Sequence, residues 1–157
     1  MKEMVYIETS VVSYSTARLS RDLVVAARQE ITRGRWARIQ ADFECYVSVL
    51  VVQEAEAGDP EAAAARIEAI DGLPALQIDE AAERLAESLI VDGPIPKEKP
   101  EDALHIALAA RDGMDYLLTW NFTHIHNAQM ELSIRRIVEQ HGYQCPVFCS
   151  PDELIGD

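Results

Sequence analysis

Apolar positions along the chain come in short blocks separated by glycine, proline and polar punctuation. Met4–Ile7 is an uninterrupted apolar run that stops at Glu8-Thr9-Ser10, the pattern of a buried strand with a polar end. Residues 22–33 carry Leu23, Val24, Ala26, Ala27 and Ile31 at helical spacing, and Gly34 reads as the stop signal. Residues 45–47 form a second strand. Ser48 can cap a helix over 49–57, which Gly58 closes. Asp59-Pro60 opens a helix over 61–70, and residues 75–78 form a third strand. Asp79 caps a helix over Glu80–Val91, whose Ala82, Leu85 and Leu89 make an apolar stripe. Lys99-Pro100-Glu101-Asp102 starts a helix that runs to Arg111 and stops at Gly113, since proline suits the first turn and acids suit the positive end of the dipole. Tyr116–Leu118 is a fourth strand, 128–141 a helix closed by Gly142, and 146–149 a last strand.

Strands that alternate with helices predict a parallel α/β sheet covered on both faces. The absence of repeats, linkers and low-complexity tracts in 157 residues predicts one domain. In such sheets functional groups collect at the carboxyl ends of the strands. Three of those ends are polar: Glu8-Thr9-Ser10, Ser48 and Thr119-Trp120-Asn121.

Three carboxylates sit in apolar settings. Glu8 follows directly on the first strand. Glu54 lies in the helix that begins Val49-Leu50-Val51-Val52, and Asp102 opens the largely apolar stretch that continues Ala103-Leu104-His105-Ile106-Ala107-Leu108. A buried unpaired carboxylate costs several kcal/mol. A shared divalent cation offsets that cost, and oxygen donors without cysteine favour Mg²⁺ or Mn²⁺. Two of these acids have plain alternatives: Asp102 as a dipole-complementing acid and Glu54 as a partly exposed helix residue.

Charge both complicates and refines this picture. There are 27 acids against 14 bases, a formal net charge of −13, which taken alone argues against nucleic acid as a partner. The bases are clustered, however. Arg18, Arg21, Arg28, Arg33, Arg35 and Arg38 face only Asp22 and Glu30 within their segment. That segment is either a solvated helix face or a phosphate-tracking surface. The three cysteines, Cys45, Cys145 and Cys149, form no C-x-x-C pair and read as buried reduced thiols. No apolar run is long enough for a membrane span, and residues 1–7 lack a signal-peptide pattern, so a cytoplasmic protein is expected.

Taken together, Val5-Tyr6-Ile7-Glu8-Thr9-Ser10, Val47-Ser48-Val49-Leu50-Val51-Val52-Gln53-Glu54, Asp102 through Ala110, and Asp115-Tyr116-Leu117-Leu118-Thr119-Trp120-Asn121-Phe122 resemble the PIN-domain pattern. More narrowly, they are similar to VapC-type toxins of toxin–antitoxin pairs, as is the tail Ser150-Pro151-Asp152-Glu153-Leu154. The resemblance spans nearly the whole chain. It implies an α/β/α sandwich with a mainly parallel sheet, an acidic pocket for Mg²⁺ or Mn²⁺, and endonucleolytic hydrolysis of RNA. Carried over position by position, it assigns catalytic roles to Glu8, Glu54, Asp102 and Asn121, and metal binding to the first three. It further implies a small antitoxin, whose inserted Arg or Lys would approach Asp102 and Glu8, and a homodimer. Two positions depart from the pattern: Glu8 stands where Asp is usual, and Asn121 where an acid is usual. Asn offers a carbonyl but no charge, so a second cation would be held less well.

The chemistry this implies is phosphodiester hydrolysis, with a cation screening phosphate charge and acidifying an attacking water. Thr9, Ser10 and Thr119 are either positioning groups or local caps. His105 shares a helix face with Glu101 and Asp102 and is read first as a packing histidine, alternatively as a partner of the acids. His124 and His126 flank Ile125 in a His-x-His pattern, read first as a polar loop and alternatively as metal ligands that lack a third partner, and Trp120 reads as a packing residue that could also stack on a base. Two other functions compete: a catalytically weak PIN-like scaffold that binds RNA or protein, and a DNA-repair or rRNA-processing nuclease.

Overall fold

In a computed structural model that describes residues 1–156, the central strand is β1 (Met4–Ile7). Its Val5, Tyr6 and Ile7 are fully buried, as expected for a parallel strand covered on both faces. It pairs with β2 (Glu44–Ser48) on one side and β4 (Tyr116–Leu118) on the other. The edges are β3 (Ala75–Leu76) beside β2 and β5 (Val147–Cys149) beside β4. All pairings are parallel, and the order is β3-β2-β1-β4-β5. The expected α/β/α sandwich is therefore the observed one.

The chain builds outward from β1 to β3, then crosses back to lay β4 against the other side of β1. The reversal opens a crevice at the carboxyl ends of β1 and β4, where ligands bind in open α/β sheets. Two strand-to-helix junctions at this edge have no loop. Glu8 ends β1 and caps α1 (Thr9–Thr16) by accepting from the Ser10 amide, and Ser48 ends β2 and caps α3 (Val49–Ala55) by accepting from the Val51 amide.

Between these lies α2 (Leu23–Asp42). α4 (Pro60–Ala69) and α5 (Glu80–Val91) begin at Asp59 and Asp79, each capping through its side chain as the sequence predicts. α6 (Pro100–Arg111) is buried along most of its length from Asp102 to Ala110. It packs against α5, and its alanines at 103, 107, 109 and 110 are all buried. α7 (Ala128–Gln140) and the four-residue α8 (Pro151–Leu154) complete the chain. One apolar core, from Val5 to Ile155, joins sheet and helices.

Three expectations are corrected. The third strand ends at Leu76 instead of 78. α1 was not anticipated, because Thr9-Ser10 and Ser13-Tyr14-Ser15-Thr16 are poor helix formers. Only Val11 and Val12 among its residues are fully buried, and packing holds it in place. Gly34 is not a stop. α2 continues through it to Asp42, with Ile39 anchored in the core. Gly34 does not have a positive φ, and a Cβ built there meets nothing within 4 Å. Gly34→Ala should therefore stabilise the protein by about 0.5–1 kcal/mol, measured by denaturant unfolding.

Candidate active site

The crevice is lined by two hydrogen-bonded groups of side chains, one around Glu8 and Asp102 and one around Glu54 and His105. The Glu8 carboxylate, 6% exposed, accepts from the Ser10 hydroxyl (2.5 Å), the Thr119 hydroxyl (2.6 Å) and the Ser10 amide (3.0 Å). β1 supplies the acid and β4 the neighbouring threonine, so the pairing of these two strands sets the contact. Glu54, on the last turn of α3, accepts from the Thr9 hydroxyl at 2.5 Å and lies 2.7 Å from Nε2 of His105. The other His105 nitrogen, Nδ1, is 2.7 Å from the Tyr6 hydroxyl, which in turn meets the Ser48 hydroxyl at 2.8 Å. His105 is thus more than a packing residue: it links the central strand to Glu54.

One oxygen of Glu8, one of Glu54 and one ring nitrogen of His105 lie within 4.8 Å of one another. Asp102 is not in this tight group. It stands three residues before His105 on α6, near enough for its charge to raise the His105 pKa. Its oxygens are held by the Asn121 amide (3.0 Å) and by Nδ1 of His124 (2.8 Å). Asn121 closes the circuit, because its backbone N–H donates to the Thr119 hydroxyl (2.9 Å) that donates to Glu8. Glu8, Asp102 and Asn121 thus share one hydrogen-bonded group, and Glu54 belongs to a second that meets the first where Glu8, Glu54 and His105 come together.

Burial pushes the Glu54 carboxyl up, but the hydrogen bond and charge of His105 and the Thr9 hydroxyl bring it below its usual value. Burial lowers the His105 pKa. Glu54 through its hydrogen bond, then the charges of Glu8, Glu54 and Asp102, reverse this and raise it. The raised His105 pKa contributes stability below pH 6.5 that is lost as pH rises through its folded-state value. The lowered Glu54 pKa contributes stability above pH 4.5 that is lost as pH falls through its own. Metal-free protein should accordingly be most stable between these two folded-state values. Thermal unfolding across pH in chelator checks this; stability that climbs steadily above pH 6.5 would contradict it.

His124 lies in a loop between β4 and α7, as the sequence predicts, and from there it pairs with Asp102. Its neighbour His126 meets Glu153 at 2.9 Å, tying the same loop to α8. Tyr6 and Ser48 were also missed as network members. Tyr6 read only as an apolar strand residue, although a buried tyrosine hydroxyl always calls for a partner. Trp120 packs as expected: it is 7% exposed, donates from its ring nitrogen to the Thr32 hydroxyl (2.8 Å) and stacks against Tyr14. The cysteines are buried and unpaired, and burial pushes their thiols up to about 11 at Cys45 and Cys145 and about 12 at Cys149. Such thiols are poor nucleophiles. No helix among the described residues is long and apolar enough to cross a membrane.

Compared with known proteins, the chain matches no protein-family model and no curated protein.

Proposed function

We propose that the protein is a PIN-type, metal-dependent endoribonuclease acting as the toxin of a toxin–antitoxin pair. The observation that carries this reading is the meeting of Glu8, Glu54 and His105 within 4.8 Å at the strand-order reversal, with Asp102 joined to Glu8 through Asn121 and Thr119. Two carboxylates and an imidazole are donors that suit a divalent cation, and the crowding of negative charge gives such a cation a reason to bind. Glu8 and Glu54 would hold Mg²⁺ or Mn²⁺, with Asp102 close by. The cation would screen the phosphate charge and acidify the attacking water.

The chain's own residues have distinct tasks. Ser10 and Thr119 fix the Glu8 carboxylate by three hydrogen bonds, so it reaches the site without reorganisation. Thr9 and His105 do the same for Glu54. Asp102, anchored by Asn121 and His124, adds negative charge at the rim. Asn121 acts as a positioning group, because its amide is spent on Asp102 and its side-chain oxygen accepts from the amides of Thr123 and His124.

A second reading, an RNA-binding module that does not cut, is favoured by one observation. His105 already lies 2.7 Å from Glu54 and, when protonated, neutralises it. A single assay separates the two. Purified protein with short single-stranded RNA should produce cleavage in Mg²⁺ or Mn²⁺ and none in chelator; binding without cleavage in every metal would leave only the second reading. The antitoxin, the homodimer and the cytoplasmic location belong to the same proposal and rest on the family resemblance. Co-expression with a small neighbouring gene product, followed by pull-down, tests the first of them.

A further inference from the structure

Beside the carboxyl end of β4, α2 and the Trp120–Phe122 segment enclose an open groove of about 440 Å³. Its wall on α2 is apolar, formed by Leu23, Val24, Ala27 and Ile31, and Leu23 and Val24 are largely exposed. Across it the Arg28 guanidinium lies 4.8 Å from the centre of the Phe122 ring and 5.4 Å from that of Trp120. No described carboxylate pairs with Arg28, although the chain carries 27 acids. Asp152, which also lines the groove, accepts instead from the Ser150 hydroxyl at 2.6 Å. The groove is wired to the crevice: the Trp120 amide donates to the Ser10 hydroxyl, which donates to Glu8.

We propose that this groove is a nucleobase subsite, taking one base of the RNA strand whose backbone passes the Glu8–Glu54 crevice. The inference rests on the ribonuclease reading above and names where its substrate is gripped. A nucleobase fits the chemistry of the groove. Its faces stack on an aromatic ring or a guanidinium plane, and its remaining surface tolerates an aliphatic wall. Arg28 lies over the Phe122 and Trp120 rings, and its charge, paired with no carboxylate among the described residues, complements the adjoining phosphate. An apolar helix from a partner protein would use the aliphatic wall but would bury the Arg28 charge against nothing. Charge complementarity is the feature that selects the nucleotide. Trp120 itself is too buried to take the base; Phe122, 37% exposed, is the ring on offer.

The test measures binding of fluorescently labelled single-stranded RNA in chelator, where no cleavage confuses the readout, beside cleavage in Mn²⁺. Phe122→Leu keeps the apolar volume and loses the π face; it should weaken binding roughly tenfold, and Phe122→Tyr should restore it. Val24→Glu, at an exposed position on the α2 wall, should weaken binding comparably by placing a carboxylate in the groove. RNA made abasic at successive positions should lose the difference between wild type and Phe122→Leu at one position only. If wild type cleaves RNA but all three variants and the abasic series bind as wild type does, the subsite is wrong while the nuclease reading stands. If wild type neither binds nor cleaves RNA, the nuclease reading fails and the subsite with it. If the variants change only self-association or capture of a protein, the groove is a protein-docking face and the proposal is overturned.

Discussion

Replacing Glu54 with Gln should reduce RNA cleavage by roughly 10²–10³-fold, the range expected when one preorganised electrostatic group is removed from an active site. The substitution is chosen because it removes charge and little else. Glu54 accepts from Thr9 and meets His105, and the carbonyl of Gln can keep both contacts. The side chain is 30% exposed, so an uncharged amide there leaves no buried orphan. Melting temperature should therefore move little while activity collapses. Glu8→Gln should lose activity as strongly but be less benign, because Glu8 is 6% exposed and three donors converge on its carboxylate. An amide nitrogen turned toward any of them leaves a donor facing a donor. If Glu54→Gln cuts RNA within a few-fold of wild type, Glu54 has no part in the reaction.

The second large effect is on stability. His105→Ala should cost about 2–4 kcal/mol, the sum expected for a cavity in a close-packed interior and for hydrogen bonds lost at both ends of the ring. His105 is 1% exposed and sits in the middle of the chain Ser48–Tyr6–His105–Glu54. Its loss leaves the Tyr6 hydroxyl with Ser48 alone and Glu54 with Thr9 alone. Both retain one partner, and Glu54 reaches water, which keeps the cost below that of a fully stranded buried charge. Tyr6→Phe, which removes one hydroxyl and no ring, should cost only about 1 kcal/mol. Equilibrium unfolding of both variants in chelator measures the difference. A His105→Ala protein as stable as wild type would mean that the network does not hold β1, α3 and α6 together.

Much of this arrangement was legible in the chain, for identifiable reasons. β1 is fully apolar because it is covered on both faces, and Glu8 marks its end with a charge. Ser48, Asp59 and Asp79 announced their helices because a capping oxygen must stand just before the first turn. Those local signals placed Glu8 and Glu54 on adjacent strand-to-helix units, and the parallel α/β pattern put their ends on one edge. What was hidden depends on the third dimension. That His105 rather than Asp102 joins the two glutamates depends on how α6 is rotated against β1, which helical spacing alone leaves open. The pairing of His124 with Asp102 depends on the path of a loop between β4 and α7 that has no periodicity to read. Gly34 misled because glycine is a sound stop signal only when the residues beyond it no longer need to be buried. Here Ile39 still does.

Mn²⁺ titration followed by electron paramagnetic resonance tests most directly whether the Glu8–Glu54 crevice holds a divalent cation. Free Mn²⁺ gives a sharp signal that disappears on binding. Wild type should take up one Mn²⁺ per chain, Mg²⁺ should compete for it, and Glu8→Gln and Glu54→Gln, each confirmed as folded, should lose that uptake. Wild type that leaves the Mn²⁺ signal untouched, or folded variants that bind as wild type does, would contradict it.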